Sequence, residues 1–209
     1  MKMKRECYLC GEIKNLTRDH LPPKGIFRPP LPTNLITVPC CKKCNESFTL
    51  DDEVFIIFTA GHHAASADGI WVCNNKVSNS FRRSPKLLNK FRKSMVKVSV
   101  YEDNILSHRN GMTIEDVRVE RVLQRMTKGF IFKFYPNIPH NDLNYKVDMI
   151  NLDKELVENL NRRMRYDERG NGIFRFWRAV AFDEPTSGIW VYVFYDGVCF
   201  SVEHNKNKS

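Results

Sequence analysis

Two cysteine pairs near the start of the chain have the spacing of metal ligands. Two residues separate Cys7 from Cys10, two separate Cys41 from Cys44, and 30 residues lie between the pairs. Four thiolates supplied in this way can surround one zinc ion as a tetrahedron. Because soft sulfur ligands suit zinc better than magnesium or calcium, the spacing predicts a structural zinc site.

Other interpretations of these cysteines stay open on the sequence alone. Cys40 could replace Cys41 as a ligand, although the two-residue gap before Cys44 favours Cys41. A Cys-x-x-Cys pair is also typical of redox proteins, and cysteines are often buried as free thiols. The chain has seven cysteines, so a complete set of intramolecular disulfides would leave one unpaired.

Between and just after the two pairs lie an aspartate, a histidine and two asparagines that could do chemistry. Asp19 and His20 are adjacent, Asn34 follows them, and Asn45 comes directly after the last cysteine. A neutral imidazole suits a general base, because it takes up protons near neutral pH. Taken singly, Asp19-His20 could instead be a surface dipeptide and Asn45 a helix cap.

The ordered combination resembles the HNH endonucleases, whose site is a ββα-metal finger. The resemblance covers roughly residues 5–55. It implies that His20 is the general base that takes a proton from the attacking water, and that Asn34 positions His20 and its loop. The matching segments are Cys7-x-x-Cys10, Asp19-His20, Asn34-Leu35 and Cys41-x-x-Cys44-Asn45.

The resemblance also implies two metal sites with different roles. Asp19 and Asn45 would hold one catalytic divalent cation, Mg²⁺ or Mn²⁺, that stabilises charge on the phosphate. The zinc ion on the four cysteines would be structural and would pin the hairpin to the helix. Many family members carry histidine where this chain has Asn45, and the change favours a hard metal ion.

The elements that must position these residues are two short strands and a helix. Residues 16–20 and 35–38 are β-compatible, and five prolines between residues 21 and 33 exclude a helix or a central strand there. A helix is expected from Cys41 or Lys42, followed by a helical segment over residues 51–60. We therefore predict an N-terminal zinc-stapled ββα-metal (HNH) finger over residues 1–60.

The remaining residues, 61–209, are expected to form an α+β extension that binds substrate or mediates dimerisation. A serine before a proline and helical spacing of apolar residues predict a basic helix over 84–96. The same spacing predicts helices over 113–135 and 153–166. Residues 172–202 are rich in β-branched and aromatic residues and contain two turns, which predicts a C-terminal antiparallel meander of three strands. The fold class is α+β.

Positive charge predicts an anionic partner. The chain has 33 Lys and Arg against 24 Asp and Glu, a net charge of +9. Residues 76–97 contain eight of the cations and no acid. We expect this segment to contact a nucleic-acid backbone, although a run of charges is often only a solvated helix face. The candidate nucleic-acid-binding residues are Arg82, Arg83, Lys86, Lys90, Arg92 and Lys93.

The resemblance and the positive charge together predict a metal-dependent endonuclease with DNA as the expected substrate. The resemblance implies a role in phage defence, restriction or mobile-element processing. Two alternatives remain: a non-catalytic, zinc-dependent nucleic-acid-binding module, and an RNA-directed nuclease or toxin. No apolar run approaches the roughly 20 residues that span a bilayer, and no secretory signal is recognisable, so we expect a cytoplasmic protein without a membrane partner. A homodimer would let single sites cut both strands, although no segment marks an interface.

Overall fold

The structure is a computed structural model that describes residues 5–102, 105–112 and 117–206. Runs of helices and runs of antiparallel strands follow one another along the chain, which is consistent with the predicted α+β class. The helices are α1 Lys42–Ser47, α2 Thr49–Ala60, α3 Ala67–Val72, α4 Ser78–Arg83, α5 Pro85–Ser94, α6 Val117–Phe134 and α7 Lys154–Arg163. The strands are β1 Leu16–Leu21, β2 Ile36–Cys41, β3 Met95–Glu102, β4 Ile105–Met112, β5 Leu143–Ile150, β6 Arg165–Arg169, β7 Phe174–Val180, β8 Gly188–Phe194 and β9 Val198–Lys206.

The N-terminal elements are an antiparallel hairpin and two helices, in the order that the sequence predicts. β1 pairs with β2 so that Leu16 lies opposite Cys41 and His20 opposite Thr37. Cys41 caps α1, because its Sγ accepts a hydrogen bond from the amide of Cys44 at 3.4 Å. The helical path breaks at Phe48 and continues as α2. A ββα arrangement is therefore present, whereas its identity as a catalytic finger stays a prediction.

A five-stranded antiparallel sheet forms the C-terminal part, in the order β5-β9-β8-β7-β6. Because successive side chains of a strand point to opposite faces, each face buries its own set of residues. One face packs against α6 and carries Phe174, Phe176, Trp190, Tyr192 and Phe194. The other face packs against Leu160 of α7 and carries Trp177, Val191, Val193 and Cys199.

Helix α6 joins the hairpin to the sheet. It packs against α2, β1, β2 and β9, and its Phe130 ring stacks on Phe176 with 4.8 Å between centroids. Gly129 permits the close approach of α6 to the hairpin, because a Cβ there would lie 2.5 Å from Leu21 Cδ1. One buried cluster thus contains residues of both predicted regions, and the division at residue 60 stays a prediction.

The three helices predicted beyond residue 60 are present and end earlier than the sequence indicated. The helix predicted over 84–96 ends at Ser94, because Met95 opens strand β3. The helix predicted over 153–166 ends at Arg163, because β6 begins two residues later. The helix predicted over 113–135 is α6, and residues 113–116 lie outside the described residues.

The predicted three-stranded meander is correct but incomplete. β7, β8 and β9 lie within or close to residues 172–202, and β9 extends beyond them to Lys206. β6 and β5 add an edge strand on each side of the meander. A separate two-stranded sheet, β3–β4, was not predicted at all. Within the part of the chain that the structure describes, no helix is long and apolar enough to cross a membrane.

Candidate functional site

The four cysteines of the predicted zinc site lie together. The Sγ atoms of Cys7, Cys10, Cys41 and Cys44 are all within 4.8 Å of one another, and those of Cys10 and Cys41 are 3.7 Å apart. A zinc ion with Zn–S bonds of 2.3 Å holds its tetrahedral sulfurs about 3.8 Å apart. The cluster therefore fits one zinc ion, as the cysteine spacing predicted.

Local backbone structure places the first pair and favours the ionised form of Cys7. The amide of Gly11 donates to the carbonyl oxygen of Cys7 at 2.8 Å, which closes the turn that carries Cys7 and Cys10. Burial raises the pKa of Cys7, but hydrogen bonds from the backbone at Cys41, Leu9 and Cys10 outweigh it and lower the pKa to about 7. Zinc binds the thiolate, so this environment suits a ligand.

Cys40 lies beside the four-sulfur cluster but is not one of its members. Its buried Sγ is 4.0 Å from Cys7 Sγ, and the group that could hold a metal ion contains Cys41 instead. Burial raises the pKa of the Cys40 thiol, but it also raises the pKa of Cys44, so the positions of the sulfur atoms decide between Cys40 and Cys41. The structure therefore favours Cys41 over Cys40 as a ligand of the zinc ion.

His20 lies near the end of β1 and is half-buried. Burial lowers the pKa of its imidazole, and the positive charges of Lys24 and Arg18 lower it further, against the opposing charge of Asp19. Both cationic side chains are exposed. His20 is therefore neutral at neutral pH, which is the state that a general base requires. Two cations lie near enough to affect its pKa.

Asp19 points to the opposite side of β1 from His20 and is only 4% exposed. Its Oδ2 accepts a hydrogen bond from the Tyr8 hydroxyl at 2.6 Å and lies 3.8 Å from Nε of Arg125 on α6. Nη2 of Arg125 donates to Oδ1 of Asp52 on α2 at 2.6 Å. The Asp19 carboxylate thus belongs to a buried group of charges between β1, α2 and α6.

Asn45 and Asn34 lie in different surroundings. Asn45 is half-buried in α1, where its Nδ2 donates to the Thr17 hydroxyl at 3.0 Å. Thr17 is two residues before Asp19 and so is on the same face of β1. Asn34 is exposed in the turn before β2, three residues ahead of the strand partner of His20. Its role in positioning His20 stays a prediction.

Asp19 and Asn45 do not fit a divalent cation in this arrangement. Carboxylate and amide oxygens are suitable ligands for Mg²⁺ by type. However, Oδ2 of Asp19 is already hydrogen-bonded to Tyr8 and beside the Arg125 guanidinium. A divalent ion on the same carboxylate would meet the repulsion of that buried positive charge.

The basic segment forms an exposed face on two helices. Arg82 and Arg83 end α4, and the other four candidate residues lie on α5. All six are exposed. On the other side of α5, Leu87 and Phe91 pack against the main core. The helix is therefore amphipathic, with cations available to solvent; contact with nucleic acid stays a prediction.

Sequence reasoning missed Arg18, Lys24, Tyr8 and Arg125 as parts of the site. Arg125 left a signal, because it lies three residues after buried Val122 within the apolar stripe of α6. A cation in such a stripe needs a buried partner. The partner, Asp19, is far away in the sequence, so no local pattern could have identified it.

Comparisons with known proteins add no relative. No family model, no curated protein and no solved structure matches the chain. The likeness to HNH endonucleases therefore depends on the motif residues alone.

Proposed function

We propose that the chain is a hydrolase that cleaves phosphodiester bonds of nucleic acid, with DNA as the expected substrate and His20 as the general base. The observation that carries the proposal is the environment of His20. A half-buried imidazole with a lowered pKa lies near two exposed cationic side chains. The hairpin that holds it is tied at its other end by the four-cysteine cluster, since Leu16 pairs with Cys41.

The chemistry assigned to these side chains is general-base hydrolysis. Neutral His20 accepts a proton from a water molecule as the water oxygen attacks phosphorus. The bond from phosphorus to the leaving oxygen breaks, and that oxygen takes a proton from solvent. His20 then releases its proton to solvent and is neutral again. Arg18 and Lys24 bind the phosphate and offset its developing negative charge, as fixed cations do in phosphoryl transfer. The zinc ion has no step in the reaction and holds the hairpin in place.

The catalytic Mg²⁺ or Mn²⁺ implied by the HNH resemblance is not part of this scheme. Asp19 and Asn45 would have to supply its ligands, and Asp19 is engaged with Tyr8 and Arg125. No step is therefore routed through such an ion. The HNH resemblance predicts that cleavage requires a divalent cation. A cleavage assay with and without added metal tests this prediction.

The nature of the substrate is inferred from charge. The net charge of +9 and the six exposed cations of α4 and α5 favour a polyanion. A nucleic acid presents the phosphodiester that the His20 site would cleave. A homodimer could place two such sites on opposite strands of a duplex, and the oligomeric state in solution would test this.

A cleavage assay on three substrates tests the proposal. Zinc-loaded protein is incubated with duplex DNA, single-stranded DNA and RNA, each with Mg²⁺, Mn²⁺ or a chelator too weak to remove the zinc. We expect cleavage, with a loss of at least about 100-fold in His20→Ala. His63→Ala is the matched control, since His63 is exposed and lies beyond the hairpin. Undiminished cleavage by His20→Ala would overturn the proposal, and cleavage confined to RNA would change the substrate.

A second candidate is a nucleic-acid-binding module that does not cleave. The contact between Arg125 and Asp19 favours it, because the carboxylate that would bind a catalytic ion is already neutralised. This candidate predicts salt-sensitive binding with no cleavage of any of the three substrates. The same assay, combined with a binding titration, separates the two functions.

A further inference from the structure

Arg125 is a buried cation at the junction of three elements. It lies in α6 and is 1% exposed. The Cζ atom of its guanidinium lies over the Phe48 ring, 4.6 Å from the ring centroid. Nη2 donates to Asp52 Oδ1 at 2.6 Å, and Nε lies 3.8 Å from Asp19 Oδ2. One guanidinium therefore forms ion pairs with two carboxylates, one on β1 and one on α2.

A charge buried to this extent is stable only with partners of opposite sign. Asp19 and Asp52 supply two negative charges against the single positive charge of Arg125. The Tyr8 hydroxyl further satisfies Asp19 through its 2.6 Å hydrogen bond. The carboxylate is thus neutralised and hydrogen-bonded by groups of the chain itself.

We infer that Arg125 supplies the positive charge that neutralises the Asp19 carboxylate. It thereby prevents a divalent metal ion from binding to that carboxylate. A divalent ion bound to Asp19 would place three positive charges against two carboxylates, beside an aspartate and an arginine that are almost completely buried. Repulsion between the ion and the guanidinium is strong at such short range and weakly screened. Phe48 and the pairing with Asp52 hold the guanidinium in place, so Asp19 does not exchange it for an ion.

This inference refines the proposed function and is separable from it. If Asp19 binds no metal ion, hydrolysis at His20 proceeds with Arg18 and Lys24 as the positive charges at the phosphate. Arg125 itself does not touch the substrate in this scheme, because it is buried on the other side of β1. It is a positioning residue, and a measurement of metal binding tests its role without any measurement of cleavage.

The experiment titrates zinc-loaded protein with Mn²⁺ and follows free Mn²⁺ by electron paramagnetic resonance. Wild type and Asp19→Asn are expected to bind Mn²⁺ equally. Arg125→Met keeps the length of the side chain and removes its charge, which leaves Asp19 and Asp52 without a cation. We expect this variant to bind Mn²⁺ at least about tenfold more tightly than wild type. The gain should disappear in the double variant Asp19→Asn, Arg125→Met.

Two results would overturn the inference. The first is tight Mn²⁺ binding by wild type that Asp19→Asn abolishes. The second is a folded Arg125→Met variant, with a native circular dichroism spectrum, that gains no Mn²⁺ affinity. If Arg125→Met does not fold, the comparison of wild type with Asp19→Asn still decides. If the wild-type protein cleaves nucleic acid and also binds Mn²⁺ through Asp19, this inference is wrong and the proposed hydrolase stands. If the wild-type protein neither cleaves nor binds Mn²⁺, the proposed hydrolase is wrong and this inference stands.

Discussion

Individual residues of the site differ in how far their roles could be predicted from the sequence. The four cysteines that could hold a zinc ion are identified by their spacing, because two closely spaced thiol pairs need only one tertiary contact to meet. The partners of Asp19 could not be predicted, because Tyr8 and Arg125 reach it from a turn and from a distant helix. Adjacent residues on a strand face opposite sides, and this separates Asp19 from His20.

Substitution of single cysteines tests the assignment of the zinc ligands. We expect Cys44→Ser to lose its zinc ion, because a hydroxyl is a far weaker zinc ligand than a thiolate. Cys40→Ser should retain about one zinc per chain, since Cys40 lies outside the four-sulfur cluster. Zinc content of the purified variants, measured by mass spectrometry, gives the answer. Loss of zinc in Cys40→Ser with retention in Cys44→Ser would reverse the assignment.

At the level of elements, the hairpin, the longer helices and the aromatic strands could be predicted; both edge strands of the large sheet were missed, but only β6 lacks a strand pattern. β6 has the sequence RYDER, in which Tyr166 is the one apolar residue, so the segment gives no strand pattern. Its backbone pairs with β7, and an edge strand needs little burial. β5 does alternate, with Leu143, Tyr145 and Val147 separated by polar residues. That pattern predicts a strand, but its partner β9 is set only by the tertiary fold.

The contact between α6 and the sheet yields a prediction for stability. Phe130 is completely buried and stacks on three aromatic rings of the sheet, those of Phe174, Phe176 and Trp190. Phe130→Ala should lower the free energy of unfolding by about 3–5 kcal/mol, because it leaves a cavity. Phe182→Ala is the matched control and should change it by less than about 0.5 kcal/mol, since Phe182 is 97% exposed. Urea denaturation measures both, and equal effects would contradict the packing described.

For the whole molecule, positive charge is distributed unevenly along the chain. Eight of the 33 cations lie within residues 76–97, where there is no acid. The helix that carries four of them, α5, packs on the main core, whereas α7 packs on the other face of the sheet. If nucleic acid binds through the surface of α5, removal of three positive charges there should weaken binding. Removal of three positive charges from residues 162–165 should weaken binding much less.

Two triple variants test this asymmetry. Lys86, Lys90 and Lys93 are changed to Gln in one, and Arg162, Arg163 and Arg165 in the other, so each variant loses three positive charges. The first should reduce the slope of log affinity against log salt for duplex DNA by about 2.7, the value for three lost phosphate contacts. The second should change that slope much less. Fluorescence anisotropy at several salt concentrations measures both, and equal slopes would contradict the assigned binding surface.

In the proposed reaction, neutral His20, near Lys24 and Arg18, takes the proton from the attacking water. The pH dependence of the cleavage rate tests it most directly. In wild type the rate should fall with decreasing pH along one ionisation below pH 6.5, because burial and both cations lower the pKa of His20. Lys24→Gln removes one of these charges, so the fall should begin at higher pH. A rate that is independent of pH in this range, or a profile that Lys24→Gln leaves unmoved, would contradict the account.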